Sequence, residues 1–236
     1  MVLMINKKIL ALIPARGGSK GIPKKNIVKI NGIPLLSWTI NASLNSKYIT
    51  KTVVSSDDID ILNCAKELGS DFIKRPTSLS LDETSSELVI EHTLSYFYKK
   101  GEIFDYLILL QPTSPLRDSI EIDNAFKIFF LNDKIDSLIS VNEVDNKILK
   151  CFVENKDGTI EGIHNNKYPF MRRQELPKTY MSNGAIYIIS VNSFLINKSL
   201  FTKNTKKYTM NKMKSLDIDT YDDLEIFKQI INKNYS

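Results

Sequence analysis

The chain has few of the residues that build metal centres, disulfides and covalent active sites. Its 236 residues include two cysteines, Cys64 and Cys151, and two histidines, His92 and His164. Neither histidine has Cys or His neighbours at zinc spacing, and the isolated cysteines indicate the reduced thiols of a cytoplasmic protein. No Cys/His arrangement typical of a nucleophilic thiol occurs. These absences argue against a zinc site, a disulfide framework and covalent catalysis by a protein nucleophile.

Long apolar runs are also lacking. No stretch approaches the ~20 apolar residues that span a bilayer. The run from Ile9 to Ala15 is short and broken by Pro14, which favours a strand over a signal peptide. We therefore expect no membrane partner. The composition, 42% hydrophobic and 25% charged, is typical of a globular protein, and the length predicts a single domain over 1–236.

The net charge of +5 does not come from one basic block. Basic residues are spread along the chain, which argues against a nucleic-acid partner. An anionic small molecule accounts equally well for the one place where they concentrate.

That concentration follows the first apolar run, which predicts a strand buried on both faces. Gly17, Gly18 and Gly21 alternate there with four cations and one hydroxyl, namely Arg16, Lys20, Lys24, Lys25 and Ser19. Glycine lets the backbone approach a ligand closely, and cations with free N–H groups hold phosphate. The G-x-x-x-x-G-K-[ST] and G-x-G-x-x-G loops are both absent. We predict a phosphate-binding loop of another kind, with a solvated basic turn as the alternative.

A pair of carboxylates stands near the other end of the chain. Asp217 and Asp219 are two positions apart, so in an extended segment both point to the same side. Carboxylates so close repel each other unless a cation lies between them. Such hard oxygen ligands suit Mg²⁺, which takes further ligands from substrate phosphates. The sequence predicts a magnesium site, with capping of the next helix by Asp219 and Thr220 as the alternative.

Strand and helix patterns alternate through residue 131 and predict an α/β fold with a parallel sheet. The expected strands are 9–15, 51–55, 71–74, 106–110, 137–144 and 183–190, and the expected helices are 34–44, 57–68, 85–100, 119–131 and 221–231. Residues 145–180 break this pattern with short β pieces at Cys151–Val153 and at 159–160, which predict an inserted hairpin region. Asn183 and Gly184 would ordinarily indicate a hairpin turn.

The loop resembles the signature A-R-x-x-S-K-G-x-x-x-K-N of the acylneuraminate cytidylyltransferases, or CMP-sialic acid synthetases, including their legionaminate and pseudaminate relatives. The matching residues are Ala15, Arg16, Ser19, Lys20, Gly21, Lys25 and Asn26. Four further blocks resemble the family in order: 75–86, 109–117, 173–187 and 215–220. Together they extend over nearly the full length of the chain.

The resemblance implies a three-layer, Rossmann-like fold with a mixed, mostly parallel sheet of the nucleotide-diphospho-sugar transferase type. It also implies that the β-rich insertion at about 145–180 forms the contact of a homodimer. The implied reaction transfers the cytidylyl group from CTP to a nine-carbon 2-keto sugar acid, with Mg²⁺ as cofactor and pyrophosphate as leaving group. The sugar acid stays open among N-acetylneuraminate, legionaminate and pseudaminate.

Two alternatives accompany this prediction. One is a cytidylyltransferase for the eight-carbon acid 3-deoxy-manno-octulosonate, whose loop has an arginine where Gly21 stands. The other is a non-catalytic nucleotide-binding relative, which would be expected to lose the loop cations or the metal pair; Arg16, Lys25, Asp217 and Asp219 are all present.

The resemblance further implies roles for single residues. The catalytic candidates are Arg16, Lys25 and Asp217, and the metal candidates are Asp217 and Asp219. The nucleotide candidates are Ala15, Arg16, Gly17, Ser19, Lys25, Asn26, Arg75 and Ser86. The sugar candidates are Gln111, Lys150, Arg173, Asn183 and Tyr187. A plain solvated charge is the alternative for Lys150, and helix capping is the alternative for residues 84–86.

Overall fold

The structure, a computed structural model, describes residues 7–234. The remaining ends of the predicted domain, 1–6 and 235–236, lie outside the described residues. The strands are β1 (Ile9–Pro14), β2 (Lys29–Ile30), β3 (Ile33–Pro34), β4 (Lys51–Ser56), β5 (Asp71–Lys74), β6 (Tyr106–Leu109), β7 (Ser137–Val144), β8 (Phe152–Glu154), β9 (Ile160–Gly162), β10 (Thr179–Ser190) and β11 (Thr205–Thr209). The helices are α1 (Leu35–Leu44), α2 (Ile59–Glu67), α3 (Ser86–Lys99), α4 (Ser119–Phe129), α5 (Val191–Asn197) and α6 (Tyr221–Asn234).

Seven strands form one sheet in the order β11-β7-β10-β6-β1-β4-β5. Within it β10 runs antiparallel to both β6 and β7, whereas the pairs β1–β4, β1–β6, β4–β5 and β7–β11 are parallel. The carboxyl ends of β1, β4, β5 and β6 therefore meet at one edge of the sheet. In open α/β sheets this edge is where ligands bind. The predicted mixed, mostly parallel sheet is confirmed.

Helices cover both faces of the sheet, because its central strand is apolar on both sides. Ile9, Ala11 and Ile13 of β1 point to one face, where α1, α2 and α4 pack. Leu10 and Leu12 point to the other face, which is covered by α3 and α5. This arrangement confirms the predicted three layers. The alternation follows from the two-residue period of a strand.

The last helix, α6, packs on a separate, smaller core. Its Leu224, Phe227 and Ile231 contact Ile22 of the loop after β1 and Leu35 at the start of α1. Trp38 of α1 meets the Phe227 ring edge-on at 5.4 Å between centroids. The C-terminal segment is thereby fixed beside the first loop of the chain.

Most of the range 145–180, where the sequence predicts an insertion, lies outside the main sheet, but Thr179 and Tyr180 already belong to β10. Within it, β8 and β9 pair as an antiparallel hairpin separate from the main sheet, and short 3-10 turns precede and follow them. Asn183 and Gly184 do not form a hairpin turn. They lie inside β10, where the pairing with β7 shifts register between Ser182 and Tyr187, and Gly184 has the left-handed φ of +75° that glycine tolerates best.

Most predicted elements lie where the sequence places them, within a few residues at their ends. The structure adds α5, β11 and the small β2–β3 hairpin, none of which the sequence pattern predicted. Among the helices of the described part of the chain, none has the length and apolar character needed to cross a bilayer.

Candidate active site

A cleft of about 390 Å³ opens at the carboxyl ends of β1, β5 and β6. The residues that line it come from the loop after β1, the segment between β5 and α3, the turn after β6 and the strand-like segment before α6. Among the sequence-predicted site residues, the cleft brings together Arg16, Ser19, Lys25, Asn26, Arg75, Ser86, Gln111, Asp217 and Asp219. Gly18, Thr84 and Thr113 also line it.

Hydrogen bonds from neighbouring segments fix the loop after β1. The Ala15 amide donates to the carbonyl of Ser55 at 3.0 Å, and the Gly17 amide donates to Oδ1 of Asp57 at 3.0 Å. The buried Asn26 side chain donates from Nδ2 to the carbonyl oxygen of Arg16 at 2.9 Å. Asn26 and Ala15 therefore shape the loop, and the loop presents Arg16 and Ser19 to the cleft.

The loop and the C-terminal segment meet across the cleft. Lys25 donates from Nζ to the Ile218 carbonyl at 2.9 Å and to Oδ1 of Asp219 at 2.8 Å. The backbones approach so closely that a Cβ on Gly21 would overlap the carbonyl oxygen of Asp219. From the third side, the Thr113 carbonyl accepts from the Ile218 amide at 2.8 Å. Two separate parts of the chain, the loop after β1 and the turn after β6, thus hold the segment that carries the two predicted metal ligands.

The carboxylates of this segment are not used to cap α6. That cap is made by Thr220, whose Oγ1 accepts from the Asp223 amide at 3.3 Å, while Oδ2 of Asp223 accepts from the amides of Asp219 and Thr220 at 3.1 and 2.8 Å. The alternative of helix capping therefore applies to Thr220 and is wrong for the Asp219 side chain.

The chemistry of this segment fits a hard cation. Oδ1 of Asp217 is buried and has no hydrogen-bond partner within residues 7–234. Burial raises the pKa of this carboxyl; a hydrogen bond from the Thr113 side chain opposes the effect, and the charge of Asp219 adds to it. Asp219 is largely exposed beside it. Within residues 7–234 no cluster of three or more His, Cys, Asp or Glu side chains could hold a metal alone. A cation between Asp217 and Asp219 must therefore complete its shell with water or substrate oxygens.

Carboxylates neutralise the cations of the loop in this structure. Asp82, in the segment between β5 and α3, pairs with Arg16 and also with Nζ of Lys20 at 2.8 Å. Lys20 and Arg16 lower the pKa of the Asp82 carboxyl through these hydrogen bonds. Outside the cleft, Lys24 pairs with Asp60 at 2.8 Å. An anionic ligand would compete with Asp82 for the two cations that it holds.

Arg75 is the most deeply placed cation of the cleft. Arg75 is only 5% exposed, and its Nε has no hydrogen-bond partner among the residues that the structure describes. Burial lowers the pKa of this guanidinium. A buried, incompletely satisfied cation at the wall of a cleft favours an anionic or strongly polar ligand.

The other sugar candidates lie elsewhere. Arg173 lines a separate cavity of about 580 Å³ and pairs there with Asp145 at 3.2 Å. Lys150 ends a 3-10 turn of the insertion. Tyr187, in β10, shares a hydrogen bond of 2.9 Å with the Ser182 hydroxyl. Asn183 accepts from the Ser140 hydroxyl at 2.6 Å and donates to the Ser215 hydroxyl at 3.1 Å.

Sequence reasoning missed four residues that shape the cleft: Asp57, Asp82, Thr113 and Arg117. Asp82 and Thr113 belong to the blocks 75–86 and 109–117 that resemble the family, so the resemblance could have indicated them as site residues. Asp57 directly follows a strand, although its bond to the Gly17 amide depends on how β1 and β4 pair. Arg117 also ends a recognised block, but nothing in its spacing indicates that it is completely buried.

The fold and the cationic cleft define a nucleotidyltransferase-like α/β protein. The profile of the family described as cytidylyltransferase matches residues 10–235, and the chain belongs to this family of nucleotidyltransferases. Over 219 residues it is 36% identical to the N-acylneuraminate cytidylyltransferase of Escherichia coli O18:K1:H7, covering 93% of this chain and 51% of the relative. The family resemblance seen in the sequence is confirmed.

Two further relatives match over nearly their whole length. The chain is 32% identical over 230 residues to a pseudaminic acid cytidylyltransferase of Campylobacter jejuni, covering 97% of this chain and 98% of the relative. It is 32% identical over 237 residues to a CMP-N,N'-diacetyllegionaminic acid synthase of Legionella pneumophila, covering 96% and 97%. The chain thus spans about half the length of the Escherichia coli relative and almost all of these two.

Solved structures support the fold. A CMP:2-keto-3-deoxy-manno-octonic acid synthetase complexed with CTP superposes with a TM-score of 0.70 at 16% identity, covering 97% of this chain and all of that one. A 4-diphosphocytidyl-2C-methyl-D-erythritol synthase from Anaerococcus prevotii gives a TM-score of 0.64 at 12% identity, covering 96% and 99%. At these identities the likeness establishes the shared fold alone.

Proposed function

We propose that the protein transfers the cytidylyl group from CTP to a nine-carbon 2-keto sugar acid of the sialic type and releases pyrophosphate. The observation that carries this proposal is the pairing of the proposed phosphate loop with Asp217 and Asp219 across one cleft, where a triphosphate and a metal ion would meet. The relatives that match this chain act, by their names, on acids of this class.

In this proposal the anomeric hydroxyl of the sugar acid attacks the α-phosphorus directly. The new O–P bond replaces the bond to the β-phosphate, pyrophosphate leaves, and the hydroxyl proton passes to solvent. Arg16, Ser19 and Lys25 hold the triphosphate and neutralise the charge that builds up on the leaving group. Such chemistry depends on positioning and charge rather than on a protein nucleophile.

Asp217 and Asp219 would hold Mg²⁺, which when bound polarises phosphate oxygens and lowers the pKa of a coordinated hydroxyl. The unpartnered Oδ1 of Asp217 supports this assignment. Asp219 is paired with Lys25 in the structure. Binding of a triphosphate to Lys25 would release the Asp219 carboxylate at the moment when the metal needs it.

The nucleotide would lie along the loop and the segment before α3. The backbone of Ala15 and Gly17 sets the shape of the loop, and Asn26 keeps it closed through the Arg16 carbonyl. Arg75 and Ser86 then supply the polar contacts of the opposite wall. The sugar acid would occupy the end formed by Gln111, which carries no charge and comes from the turn after β6 rather than from the cationic loop.

We further propose that two chains form a homodimer through the insertion. Phe152 and Phe170 approach each other at 6.4 Å between ring centroids, yet they remain 46% and 83% exposed, and Ile160 is 61% exposed. Apolar side chains so exposed on a small hairpin favour burial against a second surface. In a dimer, Lys150 and Arg173 could reach the partner's cleft and bind the acid's carboxylate, which arginine holds in a fork.

The dimer has its own test, independent of activity. Light scattering after gel filtration at micromolar concentration should give twice the chain mass for the wild type. Phe170→Ser should shift the population toward single chains. Leu131→Ser should not, because Leu131 is an equally exposed apolar residue (79% exposed) that lies outside the insertion, two positions after α4. A wild-type chain that elutes as a monomer would rule the dimer out.

The reaction is tested by pyrophosphate release with CTP, Mg²⁺ and one acid in each assay: N-acetylneuraminate, legionaminate, pseudaminate or 3-deoxy-manno-octulosonate. Turnover with one nine-carbon acid supports the proposal and identifies the substrate. Turnover only with the eight-carbon acid would keep the chemistry and replace the substrate class. If CTP binds and no acid reacts, a non-catalytic role would replace the proposed one.

A further inference from the structure

We propose that Arg117 is a positioning residue, which keeps Gln111 and the irregular part of β10 in register at the acceptor end of the cleft. The inference rests on the proposed function, because it assigns that end of the cleft to the sugar acid. Arg117 itself is completely buried and does not line the cleft, so any effect on the reaction must pass through the residues that it holds.

The guanidinium of Arg117 joins three segments. Its Nε donates to the carbonyl of Ala185 at 3.1 Å, and its Nη2 donates to the carbonyl of Gln111 at 2.9 Å and to the Thr39 hydroxyl at 3.0 Å. A guanidinium is planar, and its N–H groups point in fixed directions. The two carbonyls are therefore held at a set separation and angle.

Both carbonyls lie where the sheet no longer pairs. The ladder between β10 and its neighbours is interrupted from Asn183 to Ile186, so Ala185 has no strand partner for its carbonyl. Gln111 follows the last paired residue of β6, Leu109. Buried carbonyls without a partner are costly. Arg117 satisfies both of them and so couples the end of β6 to the irregular segment of β10.

This coupling matters because Gln111 and Gly184 touch. A Cβ on Gly184 would overlap Oε1 of Gln111, so the Gln111 amide fits only beside a glycine. The residue before Gly184, Asn183, donates to the hydroxyl of Ser215, which lies two positions before Asp217. A shift of the 183–186 segment would move both the Gln111 amide and the support of the metal carboxylates.

Stability alone does not explain an arginine at this position. Desolvation lowers its pKa to about 9, and its acceptors are neutral oxygens rather than a carboxylate. Buried ionic groups can often be replaced by apolar ones without loss of stability. An arginine is needed if the geometry of the two carbonyls must be exact to a fraction of an ångström, as binding sites require.

The test uses the full chain and compares Arg117→Met, Arg117→Lys and Gly184→Ala with the wild type. We expect Arg117→Met to raise the KM for the sugar acid roughly tenfold or more while the dissociation constant of CTP changes less than about threefold. Arg117→Lys should restore little of this, since an ammonium lacks the fork that spans both carbonyls. Gly184→Ala should give the same pattern even if Arg117→Met does not fold, because its Cβ displaces the Gln111 amide and strains the left-handed backbone of the same segment.

A control separates positioning from lost stability. Phe194→Leu truncates the core on the α5 side, away from Arg117, and should lower the melting temperature without changing the KM for either substrate. Hydrogen exchange should accelerate at the amides of residues 184–186 in Arg117→Met but not in Phe194→Leu. This readout needs no turnover, so it tests Arg117 even if no acid proves to be a substrate and the proposed function fails.

Three results would overturn the inference. One is a fall in kcat with both substrate affinities unchanged, which indicates only a smaller folded fraction. Another is full recovery by Arg117→Lys, which indicates a need for charge rather than geometry. The third is unchanged exchange at residues 184–186 in Arg117→Met.

Discussion

Lys25 and Asp219 lie 194 positions apart and form an ion pair of 2.8 Å at the mouth of the cleft. The same ammonium also donates to the Ile218 carbonyl at 2.9 Å. The Lys25 side chain is mostly buried, while that of Asp219 is 70% exposed. Lys25 is therefore held in place by the backbone, and the Asp219 carboxylate is free to exchange this partner for another cation.

This geometry predicts a large loss of activity in Lys25→Met. The variant removes a charge from the proposed triphosphate site and leaves Asp219 without its partner. We expect kcat/KM for CTP to fall roughly 10²- to 10³-fold, the range for removing one preorganised electrostatic contact. Lys24→Met is the matched control, because the neighbouring Lys24 pairs with Asp60 outside the cleft. Equal losses in both variants would show that only the overall charge of the loop matters.

Two glycines of the loop, Gly18 and Gly21, should differ in how much an alanine in their place lowers the free energy of unfolding. A Cβ at Gly21 meets the carbonyl oxygen of Asp219, whereas a Cβ at Gly18 meets no atom within 4 Å. Gly21→Ala should lower the free energy of unfolding by about 1–3 kcal/mol, as overpacking against a backbone does. Gly18→Ala should stay within about 0.5 kcal/mol of the wild type. Urea denaturation measures both, and equal stabilities would mean that the two ends of the chain do not meet this closely.

The sequence predicts the sheet and the phosphate loop because their signals are local. The apolar run of β1 and the glycines and cations behind it need no knowledge of the rest of the chain. By contrast, β11 was missed because Tyr208 is its one buried residue, and an edge strand with lysines has no alternating pattern. Its place in the sheet is set by pairing with β7.

The partners of the site residues could not be predicted from the sequence either, because they too depend on tertiary contacts. Asn183 and Gly184 carry the local signal of a turn, but tertiary pairing on both sides keeps them inside β10. That Asp82 neutralises Arg16, 66 positions away, follows only from the packing of the segment before α3 beside the loop. Long-range ion pairs of this kind have no sequence period.

Asp82 should weaken nucleotide binding in the free enzyme. It pairs with Arg16 and Lys20, two cations that a triphosphate would use. Because exposed pairs contribute about 0.2–1 kcal/mol, Asp82→Asn should lower the dissociation constant of CTP roughly two- to fivefold. Titration calorimetry at low ionic strength measures this change. Asp60→Asn, which frees Lys24 outside the cleft, is the control, and weaker binding in Asp82→Asn would instead make Asp82 part of the nucleotide site.

Removing the charge of Asp217 should lower activity and raise stability. Its carboxyl is partly buried, and Oδ1 has no hydrogen-bond partner among the described residues. Burial raises the pKa of this carboxyl above that of the unfolded chain and outweighs the opposing hydrogen bond from the Thr113 side chain. The folded state therefore binds the proton more tightly, so this group lowers stability as the pH rises from the unfolded pKa through the raised folded one. At neutral pH the buried charge is at its most costly.

Asp217→Asn should consequently abolish Mg²⁺-dependent turnover while raising the melting temperature at pH 7. The gain should shrink as the pH falls and vanish below about pH 4, where the wild-type carboxyl is protonated in both states. Thermal melts from pH 3 to pH 8 without metal measure this difference. Asp219→Asn is the contrast: its exposed carboxylate pairs with Lys25, so the substitution should cost activity and give no gain in stability. A melting temperature for Asp217→Asn below the wild type at pH 7 would mean that hydrogen bonds to the Asp217 carboxylate outweigh the cost of burying its charge, and the unpartnered Oδ1 would no longer support a metal site.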